Sequence, residues 1–466
     1  MSVNDSMPTS TPLERDAHLV STDHKVAPEE IALGVVIGRT AEFFDFFVYG
    51  IGSVLVFPYV FFPFVDPLTA TLYSFMVFSL GFIARPIGSM IFMTIDRLYG
   101  RGVKLTSALL LLGFSTAVIS FLPGYASIGA AAIFLLGVCR VGQGLALGGA
   151  WDGLASLLSL NAPRNRRGWY AMIPQLGAPI GFLLASGLFA YFILNLTDED
   201  FLSWGWRFPF YVAFTINVVA LFARLRLVVT DEFVRQLETR ELQPTSVADM
   251  FTAQGRFVVI GAFVPLASFA LFHLVTIFPL SWVTLFSDRS GGSFLLVQCA
   301  GAVVGAGGIV LSGLVADRIG RRPLLAICAG LIALFSAVTP FLLGGGVIGQ
   351  TMFILVGFGL LGLSFGQASG AVTSNFSSQY RYTGAALTSD LSWLIGAGFA
   401  PLVALGLSSR FGLGWVSAYL LSGAVCTLAS LLFNKLETRE SSGGGGFGEP
   451  AISTVSPGGR GPSRSR

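Results

Sequence analysis

Arg39, Glu42, Asp45 and Tyr49 step through an apolar stretch at intervals of three and four. At about 100° per residue they fall within a helix stripe about 120° wide, and residues three or four apart on a helix touch. Two carboxylates, a guanidinium and a phenol on such a face suit proton exchange and anion binding, or a structural ion pair near one helix end. Arg140, with Gln143 three residues on, stands in the middle of another apolar run. An arginine that deep needs a carboxylate or a water-filled cavity. Asp152 lies about 18 Å further along a straight helix, too far to be its direct partner, and reads as a site group or a helix-end contact. Arg85 precedes Pro86, where a helix is expected to kink, and reads as a cavity residue or a brace on the first apolar segment. Asp390 and Trp393, one turn apart, form one wall of a site, with simple packing the competing reading for the tryptophan. His273 is alone on an apolar face and reads as a hydrogen-bonded structural residue. If one carboxylate exchanges a proton, Asp45 is the first candidate and Asp152 the second.

The elements that must hold these groups are membrane helices. Of 466 residues 53% are hydrophobic and 11% charged, against roughly 25% charged in soluble chains. That is too little charge for an aqueous shell. A hydrocarbon core ~30 Å thick takes about 20 apolar residues per helix. Spans are expected near 31–57, 68–95, 105–122, 126–158, 168–192, 207–228, 255–286, 292–316, 324–342, 346–372, 383–408 and 411–434. They make an all-α membrane protein of about twelve helices in two six-helix bundles, 31–228 and 255–436. A polar head (1–30), a charged linker (229–254) and a Gly- and Ser-rich tail (437–466) flank them. The net charge of +3 is too small to argue for nucleic acid. The four cysteines have no metal-ligand or paired spacing, and no nucleophile or phosphate-cradling motif points to an enzyme.

Loop charge sets the expected orientation, because Lys and Arg collect in cytoplasmic loops. Arg97, Arg101 and Lys104, then Arg164, Arg166 and Arg167, then Arg318, Arg321 and Arg322, then Arg381 share one side. Asp66, Asp198, Glu199 and Asp200 share the other, with Arg289 and Arg410. Both termini are expected in the cytoplasm of a cell with an inner membrane. The chain also repeats itself: Ile95–Lys104 and Gly313–Pro323 follow the second and eighth spans, with Gly100-Arg101 matched by Gly320-Arg321. Two repeats joined by a linker place a site between them.

At these motifs the chain resembles the major facilitator superfamily and, within it, the metabolite:proton symporter family. The resemblance runs over about residues 30–440. It is carried by Ala41-Glu42-Phe43-Phe44-Asp45-Phe46-Phe47-Val48-Tyr49-Gly50, Gly81-Phe82-Ile83-Ala84-Arg85-Pro86-Ile87-Gly88, Arg140-Val141-Gly142-Gln143-Gly144, Pro174-Gln175-Leu176-Gly177, Trp206-Arg207-Phe208-Pro209-Phe210 and Arg381-Tyr382-Thr383-Gly384. It implies alternating-access symport of an organic acid or zwitterionic osmolyte with protons, by a monomer with no cofactor. The implied pathway residues include Gln175 beside those above. Asp96, Gly100, Arg101 and Asp317, Arg318, Gly320, Arg321 are implied as gating loops, in which Asp answers a helix N-terminus and Arg caps helix C-termini. The chain departs from the family at Ala150-Trp151-Asp152, where glutamate is usual, at Met93, at Asp96, one residue early, and at Arg39. An exporter or antiporter of the same fold, or a solute sensor that binds without turnover, are the alternatives.

Overall fold

The computed structural model of the chain describes residues 28–150, 162–228, 244–368, 376–377 and 379–443. Asp152, the linker up to residue 243 and most of both tails lie outside them. The described residues are predominantly helical, without strands. The long helices are α1 (Pro28–Leu55), α2 (Pro67–Tyr99), α3 (Arg101–Phe121), α4 (Ala130–Gly149), α5 (Arg167–Asn195) and α6 (Arg207–Val228). After the linker come α7 (Leu266–Phe286), α8 (Gly291–Ile319), α9 (Arg321–Gly344), α10 (Gly346–Ala368), α11 (Arg381–Phe411) and α12 (Gly414–Gly443).

Eleven stretches among the described residues are long and apolar enough to cross a membrane. The long helix outside that count is α1. Every 18-residue window of it contains Arg39, Glu42 and Asp45, so its charge excludes it from a hydropathy count. Glu42 and Asp45 are buried by neighbouring helices and Arg39 is partly so. The expected span 126–158 is corrected at its start, and its end lies outside the described residues. Gly129, at φ 59°, breaks a four-residue helix from α4, which runs Ala130–Gly149. Pro86 does not interrupt α2, whereas α7 breaks after Thr276, just before Pro279.

Local chemistry explains the ends that matter. Asp66 caps α2 by accepting from the Thr69 amide at 3.0 Å, with Pro67 at the first helical position. α2 and α8 both end in a glycine with a left-handed backbone, Gly100 (φ 84°) and Gly320 (φ 89°), which a side chain would strain. The same turn therefore joins α2 to α3 and α8 to α9.

Packing repeats in the same way. α2 packs on α4 as α8 packs on α10, and α3 on α6 as α9 on α12. The two halves meet along α5 with α8 and along α2 with α11, pairs that exchange when the halves exchange. α5 and α11 are also the helices with irregular turns. α5 has a 3₁₀ turn at Ile173–Leu176 and α11 a π turn at Leu394–Gly398. Such π segments often mark functional positions.

Candidate functional site

Asp45 sits in the middle of α1, 1% exposed. Its partners come from three other helices: the Thr116 hydroxyl on α3 at 2.5 Å, the Gln143 amide on α4 at 3.3 Å and the Asn217 amide on α6 at 3.2 Å. All three donors are neutral. Gln143 also donates to Thr116 at 2.8 Å, and its carbonyl accepts from Arg140 at 3.2 Å. The result is a buried relay, carboxylate to amide to guanidinium, in which anion and cation do not touch. A buried carboxylate supported only by neutral dipoles can exchange a proton without first breaking an ion pair.

Two expectations change here. Asp45 does not pair with Arg39. Arg39 bonds Glu42 at 2.5 Å and covers the Phe43 ring. Side chains along the stripe lean to different sides, and Asp45 turns inward toward α3, α4 and α6. Arg140 is held without a carboxylate among the described residues. Its Nε donates to the Phe78 carbonyl at 3.1 Å, and its charge lies over Tyr49 (4.1 Å) and Phe78 (4.7 Å). Ring faces substitute for part of the lost water. Gly81 leaves room for this: a Cβ there would lie 2.7 Å from Arg140 Nε.

Arg140 faces an aromatic chamber built by both halves. Phe46, Phe78 and Phe82 come from α1 and α2, and Phe272, His273 and Trp393 from α7 and α11. Beside it a narrow apolar crevice runs between α1, α5, α7, α8 and α10, with Thr276 its one hydroxyl-bearing lining residue. The rings pack face and edge across the seam, so the chamber is closed. His273 is fully buried, and neither ring nitrogen has a hydrogen-bond partner among the described residues. The expectation of a hydrogen-bonded structural histidine is thereby corrected: its neighbours are the rings of Phe46, Phe78, Phe82 and Phe272. The Tyr49 hydroxyl is likewise buried without a partner. Gln175 is buried in the 3₁₀ turn of α5, packed toward α1.

The end of the bundle that carries the basic loops is tied across the seam. Arg85 Nε meets Asp390 at 2.6 Å, and Ser89 donates to the same carboxylate. The Arg85 guanidinium also stands 5.8 Å from the Trp393 ring. Asp317 accepts from the amides of Gly168 (2.6 Å) and Trp169 (3.2 Å) at the start of α5, where the helix dipole favours an anion. Arg321 donates to the Arg167 carbonyl at 2.6 Å, where the short 3₁₀ helix Arg164–Arg166 passes into α5. Gln367 donates to the Gly168 carbonyl at 3.0 Å.

The first-half loop behaves differently. Asp96 faces Lys104 at 3.3 Å and Arg101 at 3.5 Å, on its own side of the seam. It lies four residues before Gly100, where Asp317 lies three before Gly320. One residue turns a helix by about 100°, so Asp96 swings away from α11. Lys104 crosses in its place, donating to the Tyr382 hydroxyl at 2.7 Å, while Arg101 covers that ring at 4.7 Å.

Thr116, Asn217, Ser89 and Tyr382 are absent from the sequence-derived set. Only Asn217 leaves a trace in the sequence, as an amide inside an apolar run. Asp152 lies outside the described residues, and Arg318 forms part of the last turn of α8.

Comparison with known proteins agrees with this architecture. The family model described as Major Facilitator Superfamily matches residues 43–390. An inner membrane metabolite transport protein of Escherichia coli is 38% identical over 440 residues, covering 93% of this chain and 99% of that one. The shikimate transporter of the same organism is 32% identical, covering 87% and 94%. The proline/betaine transporter of Salmonella typhimurium is 28% identical, covering 80% and 76%. Among solved structures, a D-xylose-proton symporter superposes with a TM-score of 0.65 at 19% identity, covering 86% of this chain and 96% of that one, a likeness of fold. The chain belongs to the major facilitator superfamily, as a multi-pass membrane transporter and not an enzyme.

Proposed function

We propose that this transporter is a proton-coupled symporter of a small polar metabolite, an organic acid or a zwitterionic osmolyte, and that it works by alternating access. The observation that carries the reading is the Asp45–Gln143–Arg140 relay. Asp45 is buried with neutral donors, and a single amide joins it to the Arg140 guanidinium, which looks into the aromatic chamber. Proton loading at Asp45 changes the pull on the Gln143 amide, and through its carbonyl the freedom of Arg140 to take a substrate carboxylate. The proton moves down its gradient, about 2.3 kcal/mol per 100 mV, which corresponds to roughly 45-fold solute accumulation at 1.4 kcal/mol per decade. Relatives named for shikimate and for proline or betaine support a carboxylate-bearing solute.

On this reading residues 31–228 and 255–436 rock about the chamber. The contacts of Arg85, Asp317, Arg321 and Lys104 form the gate on the cytoplasmic side. The basic loops support a cytoplasmic position for that gate and both termini at an inner membrane, and the working unit is a monomer.

The test uses vesicles with an imposed pH gradient and labelled shikimate, proline or glycine betaine. Asp45→Asn imitates the protonated carboxylate. It should abolish accumulation against a gradient while keeping part of the counterflow, which needs no net proton release. Undiminished accumulation by Asp45→Asn refutes the assignment of Asp45.

A further inference from the structure

The chamber holds polar atoms that the relay does not use. His273 on α7 is fully buried, with both ring nitrogens unpartnered among the described residues, and the Tyr49 hydroxyl on α1 is in the same condition. A buried polar atom without a partner is costly, so native proteins rarely keep one without a reason. His273 keeps two. It also stands opposite Arg140: Phe46, Phe78 and Phe82 each lie within 6.0 Å of both the imidazole ring and the guanidinium carbon. Each half thus sets one polar group against the same three rings, across the seam where the halves meet.

The chemistry of an imidazole limits what can satisfy it. Neutral histidine offers one N–H donor and one bare nitrogen acceptor. A quaternary ammonium provides neither a donor nor an acceptor, and the protonated amine of proline donates only. An ionised carboxylate accepts only, and Arg140 is the better place for it. A hydroxyl both donates and accepts. We infer that His273 contacts the substrate and reads a hydroxyl on a small hydroxylated carboxylate, whose acid group lies on Arg140. This deepens the transport reading and rests on it. It selects the hydroxy acids from the two solute classes proposed above and adds a specificity-determining residue on the C-terminal half.

The test compares shikimate, its non-hydroxylated analogue 1-cyclohexene-1-carboxylate, and glycine betaine on purified full-length protein by titration calorimetry. Wild type should bind shikimate in preference to cyclohexenecarboxylate. His273→Phe should weaken shikimate binding by about 5- to 150-fold and leave cyclohexenecarboxylate within about twofold, because the ring shape survives and only the polar contacts go. His273→Gln, which keeps a donor and an acceptor, should recover most of the preference. Equal loss of both acids in His273→Phe would assign the histidine to packing and overturn the inference. So would a wild-type preference for glycine betaine over both acids. That last outcome leaves the transport reading intact, since uptake in vesicles is measured separately.

Discussion

Replacing Asp390 by Asn should shift the protein toward the form open at its basic end. Asp390 is 3% exposed and takes Arg85 and Ser89 from α2, across the seam. Removing one member of a buried ion pair costs about 3–5 kcal/mol, because the other charge stays buried. The Arg85 side chain is 15% exposed, so partial hydration lowers that figure to about 2–3 kcal/mol. The open form has no such pair to lose, so the whole cost falls on the closed form. At 1.4 kcal/mol per decade the shift is roughly 30- to 140-fold. A closed-to-open ratio of about 99:1 would fall to between about 4:1 and 1:1. Spin labels at Arg97 and Gln379, both exposed near that end, read the change as a new long-distance population. The reciprocal exchange, Arg85→Asp with Asp390→Arg, should restore most of the short one. A single-substituted protein with the wild-type distance distribution would refute the seam pair as a determinant of the closed form.

Three further outcomes follow from particular contacts. Arg140→Lys keeps the charge but loses the planar donor that reaches the Phe78 carbonyl and Gln143 together; uptake affinity should fall at least tenfold at unchanged expression, and wild-type kinetics would remove Arg140 from the site. Gly81→Ala places a methyl 2.7 Å from Arg140 Nε, an overpacking worth about 1–3 kcal/mol; KM should rise about 5- to 150-fold, and an unchanged KM would show that the guanidinium is not held there. Cysteines at Asp198 or Asp200 should react with an impermeant thiol reagent from outside intact cells and one at Asn165 should not; the reverse pattern would invert the proposed orientation.

The fold was legible because each signal in it is local. Apolar runs of membrane length are local, and so is a glycine after a helix, which is why Gly100 and Gly320 could be matched as equivalent turns before any coordinates. The twelfth helix needed judgement, since Arg39, Glu42 and Asp45 defeat a hydropathy count of α1. The site was legible only as residue types. Asp45, Arg85, Arg140 and Asp390 stand out as charges in apolar helices, but which groups meet does not: Arg85 finds Asp390 305 residues away, and the Asp45 partners Thr116 and Asn217, 71 and 172 residues away, carry little signal of their own. Helical reach suggested Arg39 for Asp45, and the tertiary packing supplied Thr116, Gln143 and Asn217. For His273 the likelihood of a hydrogen bond was a fair expectation from burial alone, and only the surrounding rings overturn it. Asp96 is the instructive intermediate case: its one-residue offset was visible, while its consequence, a switch from a helix N-terminus to Lys104 and Arg101, needed the three-dimensional seam.

The two halves share a scaffold and divide the chemistry. α2 and α8 end in the same glycine turn and lead to the same packing, yet the loop contacts differ. Asp317 takes backbone amides of α5, and on the other seam Lys104 takes a tyrosine hydroxyl of α11. The buried carboxylate relay lies in the N-terminal half, and the carboxylate that spans the seam, Asp390, lies in the C-terminal half. A symmetric protein would weaken both seams equally when a charge changed. On the proposed reading a proton at Asp45 acts through Gln143 on Arg140 at the chamber, while a change at Asp390 acts directly on the gate. Separating the two carboxylates lets substrate and proton be sensed where the halves meet in the middle and the gate be held elsewhere along the same interface. On the proposed reading this asymmetry is what turns a two-fold scaffold into a directional cycle: Asn at position 45 should uncouple transport and leave the gate distances unchanged, and Asn at position 390 should loosen the gate and leave the relay in place.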